Sequence, residues 1–69
     1  MEKVSKYKSY VILARQLNDN YQIGIQKEIP SINKSSIPIW LERAKYNSID
    51  EAKISGREYA RMFINKLSN

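Results

Sequence analysis

From Tyr21 to Ile29 the chain alternates: Tyr21, Ile23, Ile25 and Ile29 fall on one parity, and Gln22, Gly24, Gln26 and Glu28 on the other. A period of two is what a strand with one buried face requires, so this segment is expected to be a strand. Upstream, the stretch from Lys8 to Leu17 holds the apolar run Tyr10-Val11-Ile12-Leu13, and Asn18-Asp19-Asn20 separates the two stretches. That triplet favours a turn, so residues 8–29 read as a β-hairpin. A three-residue loop with Asn20 in the left-handed region pairs Leu17 with Tyr21, Arg15 with Ile23, Leu13 with Ile25 and Val11 with Lys27. One face then carries Val11, Leu13, Leu17, Tyr21, Ile23, Ile25 and Ile29. The other carries Lys8, Tyr10, Ile12, Ala14, Gln16, Gln22, Gly24, Gln26 and Glu28. A slip of one residue would exchange these sets on one strand, which makes the register a physical expectation. The rival reading is a helix from Val4 to Leu17, because Val4, Tyr7, Val11 and Ala14 also fit helical spacing.

Residues 30–36 form the obvious connecting loop, with Pro30, Ser31, Asn33, Ser35 and Ser36 clustered there. Residues 37–46 are ambiguous. Ile37, Ile39 and Leu41 alternate as in a strand, whereas Ile37, Trp40, Leu41 and Ala44 suit one helical face with Pro38 in its first turn. A third, edge-like strand broken by a turn is the preferred reading. The signature Ser48-Ile49-Asp50-Glu51 is a capping box, and it opens a helix over 49–67. Its apolar stripe is Ile49, Ala52, Gly56, Tyr59, Ala60, Phe63 and Leu67. Gly56 within the stripe costs roughly 1 kcal/mol against Ala and marks a close approach of helix to sheet. The expected fold class is α+β: a two- to three-stranded antiparallel sheet, built on the N-terminal hairpin, packed against one C-terminal helix. Residues 1–7 precede it as a basic arm.

With 69 residues, the chain makes one small domain that removes only about 60% of its unfolded surface from water. There is no His and no Cys, so imidazole bases, thiolate nucleophiles and Cys/His metal sites are excluded. Asp50 and Glu51 are explained by the helix cap, Lys45 and Ser48 lack an accompanying phosphate or oxyanion loop, and the two glycines stand apart. No enzymatic activity, cofactor or metal is expected. The longest purely aliphatic run before a charge, Val11 to Ala14, is too short for a secretory signal or a membrane span. A cytoplasmic location, the host cytoplasm for a phage-encoded protein, is the corresponding expectation.

The charge gives the clue to partners. Twelve Lys and Arg against seven Asp and Glu leave a net charge of +5, and Lys3, Lys6, Lys8 and Arg15 concentrate it early. If the helix roofs the Val11/Leu13/Ile23/Ile25 side, the opposite side of the hairpin is left to meet another molecule. Lys6, Lys8, Arg15 and Lys34 would then contact phosphates, with Tyr10, Gln22 and Gln26 reading base edges. The competing expectation is a protein partner docked on an apolar patch of Tyr10, Ile12, Ala14 and Gly24, which would also serve for homodimerisation. Trp40 with Arg43 and Lys45 could form a stacking group, but the core of so small a domain is the preferred place for a lone Trp.

The run Tyr46-Asn47-Ser48-Ile49-Asp50-Glu51-Ala52, followed by Tyr59-Ala60 and preceded by a hairpin, resembles the ending of the AP2-like DNA-binding domains at the amino end of phage-type integrases. That resemblance implies three strands and a helix, with the sheet entering the major groove, in a stand-alone accessory or regulatory protein without recombinase chemistry. The same strand–helix ending is similar to that of small phage accessory proteins that bind and inhibit host proteins.

Overall fold

A computed structural model describes residues 1–28 and 37–68. It shows an α+β fold, a four-stranded antiparallel sheet in the order β1-β2-β3-β4 with one C-terminal helix across one face. The strands are β1 (Glu2–Tyr7), β2 (Tyr10–Gln16), β3 (Tyr21–Lys27) and β4 (Ile39–Tyr46). The helix begins as α1 (Ile49–Glu51), passes through a π-helical turn at Ala52–Gly56 and continues as α2 (Arg57–Ser68).

The first correction concerns residues 1–7, expected as a basic arm. They form β1, an edge strand paired with β2. Lys3 and Lys6 give the segment its basic look, but Val4 and Tyr7 are partly buried against the core, and these apolar contacts dock the segment. The rival helix from Val4 to Leu17 is replaced by β1, a tight turn and β2. Lys8 and Ser9 make that turn, and Lys8 adopts φ 53°, the only positive φ outside glycine among the described residues. A two-residue hairpin loop needs a positive φ at its first position to match strand twist.

The second correction is the register of β2 on β3. The loop contains Leu17, Asn18, Asp19 and Asn20, closed by Leu17 N–H donating to the Asn20 carbonyl at 2.7 Å. Gln16 therefore pairs with Tyr21, Ala14 with Ile23, Ile12 with Ile25 and Tyr10 with Lys27. This is one residue away from the expected pairing, and Asn20 takes no left-handed conformation. Tyr10, Ile12 and Ala14 thus face the helix, and Val11, Leu13 and Arg15 face away. The expected register would have set the Arg15 guanidinium opposite Ile23 beneath the helix, and an unpaired buried charge costs several kcal/mol. The observed register gives the apolar run on β2 its buried face equally well while placing Arg15 outside. Ile29, the 30–36 loop and Lys34 lie outside the described residues.

Residues 37–46 contribute a fourth strand with a wide irregularity. Gln22 pairs with Lys45 and Gly24 with Trp40, so Leu41 to Ala44 span the stretch opposite Ile23. Leu41 and Ala44 are buried in the core while Glu42 and Arg43 are exposed, which explains why both a strand and a helix pattern fitted the sequence. Both sheet edges carry a register shift and charges, devices that discourage strand addition.

The helix starts as its capping signature predicts: Ser48 is extended at φ −138° and its Oγ accepts from Glu51 N–H at 3.1 Å. Gly56 marks the closest helix–sheet approach. A Cβ there would clash with Ile23 Cγ1 and stand 3.1 Å from Tyr46 Cε2. The core joins Ile12, Ala14, Ile23, Ile25, Leu41 and Ala44 of the sheet to Ala52, Ala60 and Ile64 of the helix. Ile12, Ile23, Ile25 and Ile64 are its largest fully buried side chains, each contributing about 1.5–3 kcal/mol of transfer free energy. Leu67, placed on the stripe by its spacing, is 50% exposed in the last turn. No helix among the described residues is long and apolar enough to cross a membrane.

Candidate nucleic-acid interface

The sheet face turned away from the helix is built from three cross-strand rows. Lys6, Val11 and Gln26 form the first; Lys3, Leu13, Gly24 and Trp40 the second; Arg15, Gln22 and Lys45 the third. Among the described elements none lies over this face. Four of its side chains, Lys3, Lys6, Arg15 and Lys45, are cationic. Glu28, just beyond the end of β3, bridges Lys6 at 2.9 Å. The observed β2 register adds Arg15 to the three lysines of this face.

At its centre the side chains hold one another. Gly24 leaves room for the Trp40 ring, whose Cζ3 would stand 2.8 Å from any Cβ at that position. The Arg15 guanidinium lies over the indole at 4.3 Å from its centroid, a cation–π distance. Arg15 Nε and Nη2 both donate to Gln22 Oε1, at 3.1 and 2.7 Å. Gln22 Nε2 in turn donates to the Leu41 carbonyl at 3.1 Å. Gln22 is 4% exposed, so its amide is spent inside the protein, and each end is satisfied as a buried polar group must be. Leu13, 6% exposed, sits between Lys3 and Gly24 in the row that contains Trp40.

The residues expected from the sequence separate into three groups. Lys6, Arg15, Gln22 and Gln26 share the open face. Tyr10 and Ile12, with Ala14, are turned to the helix, and Ile12 is completely buried. The apolar docking patch of Tyr10, Ile12, Ala14 and Gly24 is therefore split between two faces, because the β2 register differs by one. Lys8 sits in the β1–β2 turn with its ammonium 5.6 Å from the Tyr7 ring centroid. Lys3, Lys45 and Trp40 join the face through β1 and β4. For Lys3 and Lys45 the only signal in the sequence is their charge, and their neighbours are set by strands that the hairpin alone does not contain.

The helix-covered side has a different chemistry. Glu2 bridges Lys53 at 2.7 Å, and the hydrogen bond to Glu2 holds the Lys53 ammonium above its usual range. Tyr7 Oη donates to Asn65 Oδ1 at 3.0 Å with Arg61 over its ring. Burial, then the Tyr59 hydroxyl and the Glu51 carboxylate, push the Tyr46 phenol above 10.0. Among the described residues no three of His, Cys, Asp or Glu gather as metal ligands. Compared with protein-family models, curated protein sequences and solved structures, the chain matches none of them.

Proposed function

We propose that the protein is a non-enzymatic accessory or regulatory protein that contacts DNA through the open face of its sheet. One observation carries this reading: Lys3, Lys6, Arg15 and Lys45 lie on one face that no described element covers, with Glu28 paired to Lys6 beside them. A flat basic surface is complementary to a phosphate backbone, and each phosphate neutralised releases counterions. Lys3, Arg15 and Lys45 are the main phosphate or groove contacts in this proposal, and Lys6 contributes after partial neutralisation by Glu28. The alternative of docking on a host protein loses the patch on which it was based, since Ile12 and Ala14 lie beneath the helix.

Titration of labelled duplex DNA against the protein at several salt concentrations tests the proposal. With three or four phosphates engaged, the slope of log affinity on log salt is expected to be roughly −3 to −4. Lys45→Ala and Lys3→Ala should each reduce the slope by about one. Absence of binding at low salt, or binding indifferent to salt, overturns it.

A further inference from the structure

The Arg15 assembly differs from the three lysines on the same face in one physical respect: it is fixed before any ligand arrives. Two hydrogen bonds to Gln22 Oε1 set the plane and direction of the guanidinium, Gln22 is anchored to the Leu41 carbonyl, and Trp40 supports the flat side. A residue needed only to neutralise phosphate gains little from such support, and a lysine would serve as a point charge. Holding a fork in place removes the ordering cost of a directional contact. With Nε and one Nη2 hydrogen occupied, the Nη1/Nη2 edge retains two parallel donors. That edge matches the O6 and N7 acceptors of guanine in the major groove. Trp40, carrying Arg15 on its ring, acts as a support for the guanidinium, which favours edge reading of a stacked duplex over stacking of an unpaired base.

Resting on the DNA-binding proposal above, we infer that Arg15 is the specificity-determining residue of the face and selects guanine in duplex DNA. Gln22 is its positioning residue, and Gly24 opens the space for the supporting indole. Gln22 reads no base itself, because both ends of its amide are engaged within the protein.

The test uses the full chain. Duplexes enriched from a random pool by the wild-type protein are compared with the same duplexes carrying 7-deazaguanine, which removes the N7 acceptor and keeps the charge. Wild type should prefer guanine by about tenfold. Arg15→Ala should lower the salt slope by about one, as Lys3→Ala and Lys45→Ala do, and unlike them should also lose that preference. Gln22→Met, with an unchanged circular dichroism spectrum, should keep the slope and lose most of the preference. If that variant fails to fold, Trp40→Phe provides the second arm: a smaller ring supports the guanidinium less, so the slope should be kept and the preference reduced. Salt-dependent binding by wild type with no loss on 7-deazaguanine, or an unaltered preference in Arg15→Ala, overturns this inference and leaves the DNA proposal standing. Absence of binding to any duplex overturns both.

Discussion

Ile12 and Leu13 are neighbours in β2, both almost inaccessible to water, and they belong to different parts of the molecule. Ile12 is sealed between the sheet and the helix in a continuous apolar cluster. Leu13 lies outside that cluster, in a row with Lys3, Gly24 and Trp40 on the face that no described element covers. One face is closed by another element of secondary structure. The other is closed by its own side chains, in a hydrogen-bonded and stacked arrangement with cations around it. A small sheet with a single helix can roof only one side, and here the second side avoids exposing a large apolar patch by laying an indole and a guanidinium over its centre.

Substitutions can break this contrast. Ile12→Ser leaves both a cavity and an unpaired hydroxyl beneath the helix, and should lower stability by about 4 kcal/mol in urea denaturation. A folded, near wild-type variant would show that the β2 register is wrong. Gly56→Ala is a test of sign. Helix propensity alone favours Ala by about 1 kcal/mol. The clash with Ile23 should outweigh it and leave the variant destabilised by about 2 kcal/mol, a typical overpacking cost. A stabilised Gly56→Ala would mean that the helix stands farther from the sheet.

On the open face, Gly24→Ala displaces the Trp40 ring. It should cost about 1–2 kcal/mol and enhance exposure of the indole, read as a red shift and increased quenching of its fluorescence. Alkaline titration probes the covered side again. Tyr46 has its folded pKa raised by burial, so its contribution is complete below the unfolded value of 10.0 and is lost as pH rises through the folded value. Lys53, raised by Glu2, acts in the same direction. Denaturation midpoints should fall above about pH 10, and Tyr46→Phe should flatten that fall. The smallest effect belongs to the exposed Lys6–Glu28 pair. Removing Lys6 should change stability by less than about 0.5 kcal/mol while still weakening DNA binding, which would separate the stabilising role of the covered face from the recognition role of the open one.

Several parts of this arrangement are legible directly in the residues. The alternation of Tyr21, Ile23 and Ile25 with Gln22, Gly24 and Gln26 assigns the two faces of β3 correctly, Ser48 and Glu51 mark the helix start, and Gly56 marks the contact between helix and sheet. β2 is different. Val11, Ile12, Leu13 and Ala14 are apolar on both parities, so alternation alone gives no preference, and the assumed three-residue loop selects the wrong one. The polar residue that could have decided it is Arg15, since a guanidinium tolerates only the face on which Gln22 and Trp40 receive it. β1 is obscured by its lysines, because an edge strand with one exposed face has the composition of a basic tail. The irregular stretch of β4 combines two periods and therefore fits both patterns in part.

Local sequence determined the features whose causes are local: the alternating strand, the turn-rich connections, the helix cap and the excess of positive charge. These follow from steric and hydrogen-bonding preferences within a few residues. Tertiary structure alone decided which side of β2 is buried and which cations share a face, and it also brought Arg15, Gln22 and Trp40 together. Those outcomes depend on pairing between distant strands, where a single-residue change in loop length exchanges the two faces and only the free energy of the complete packed core selects between them.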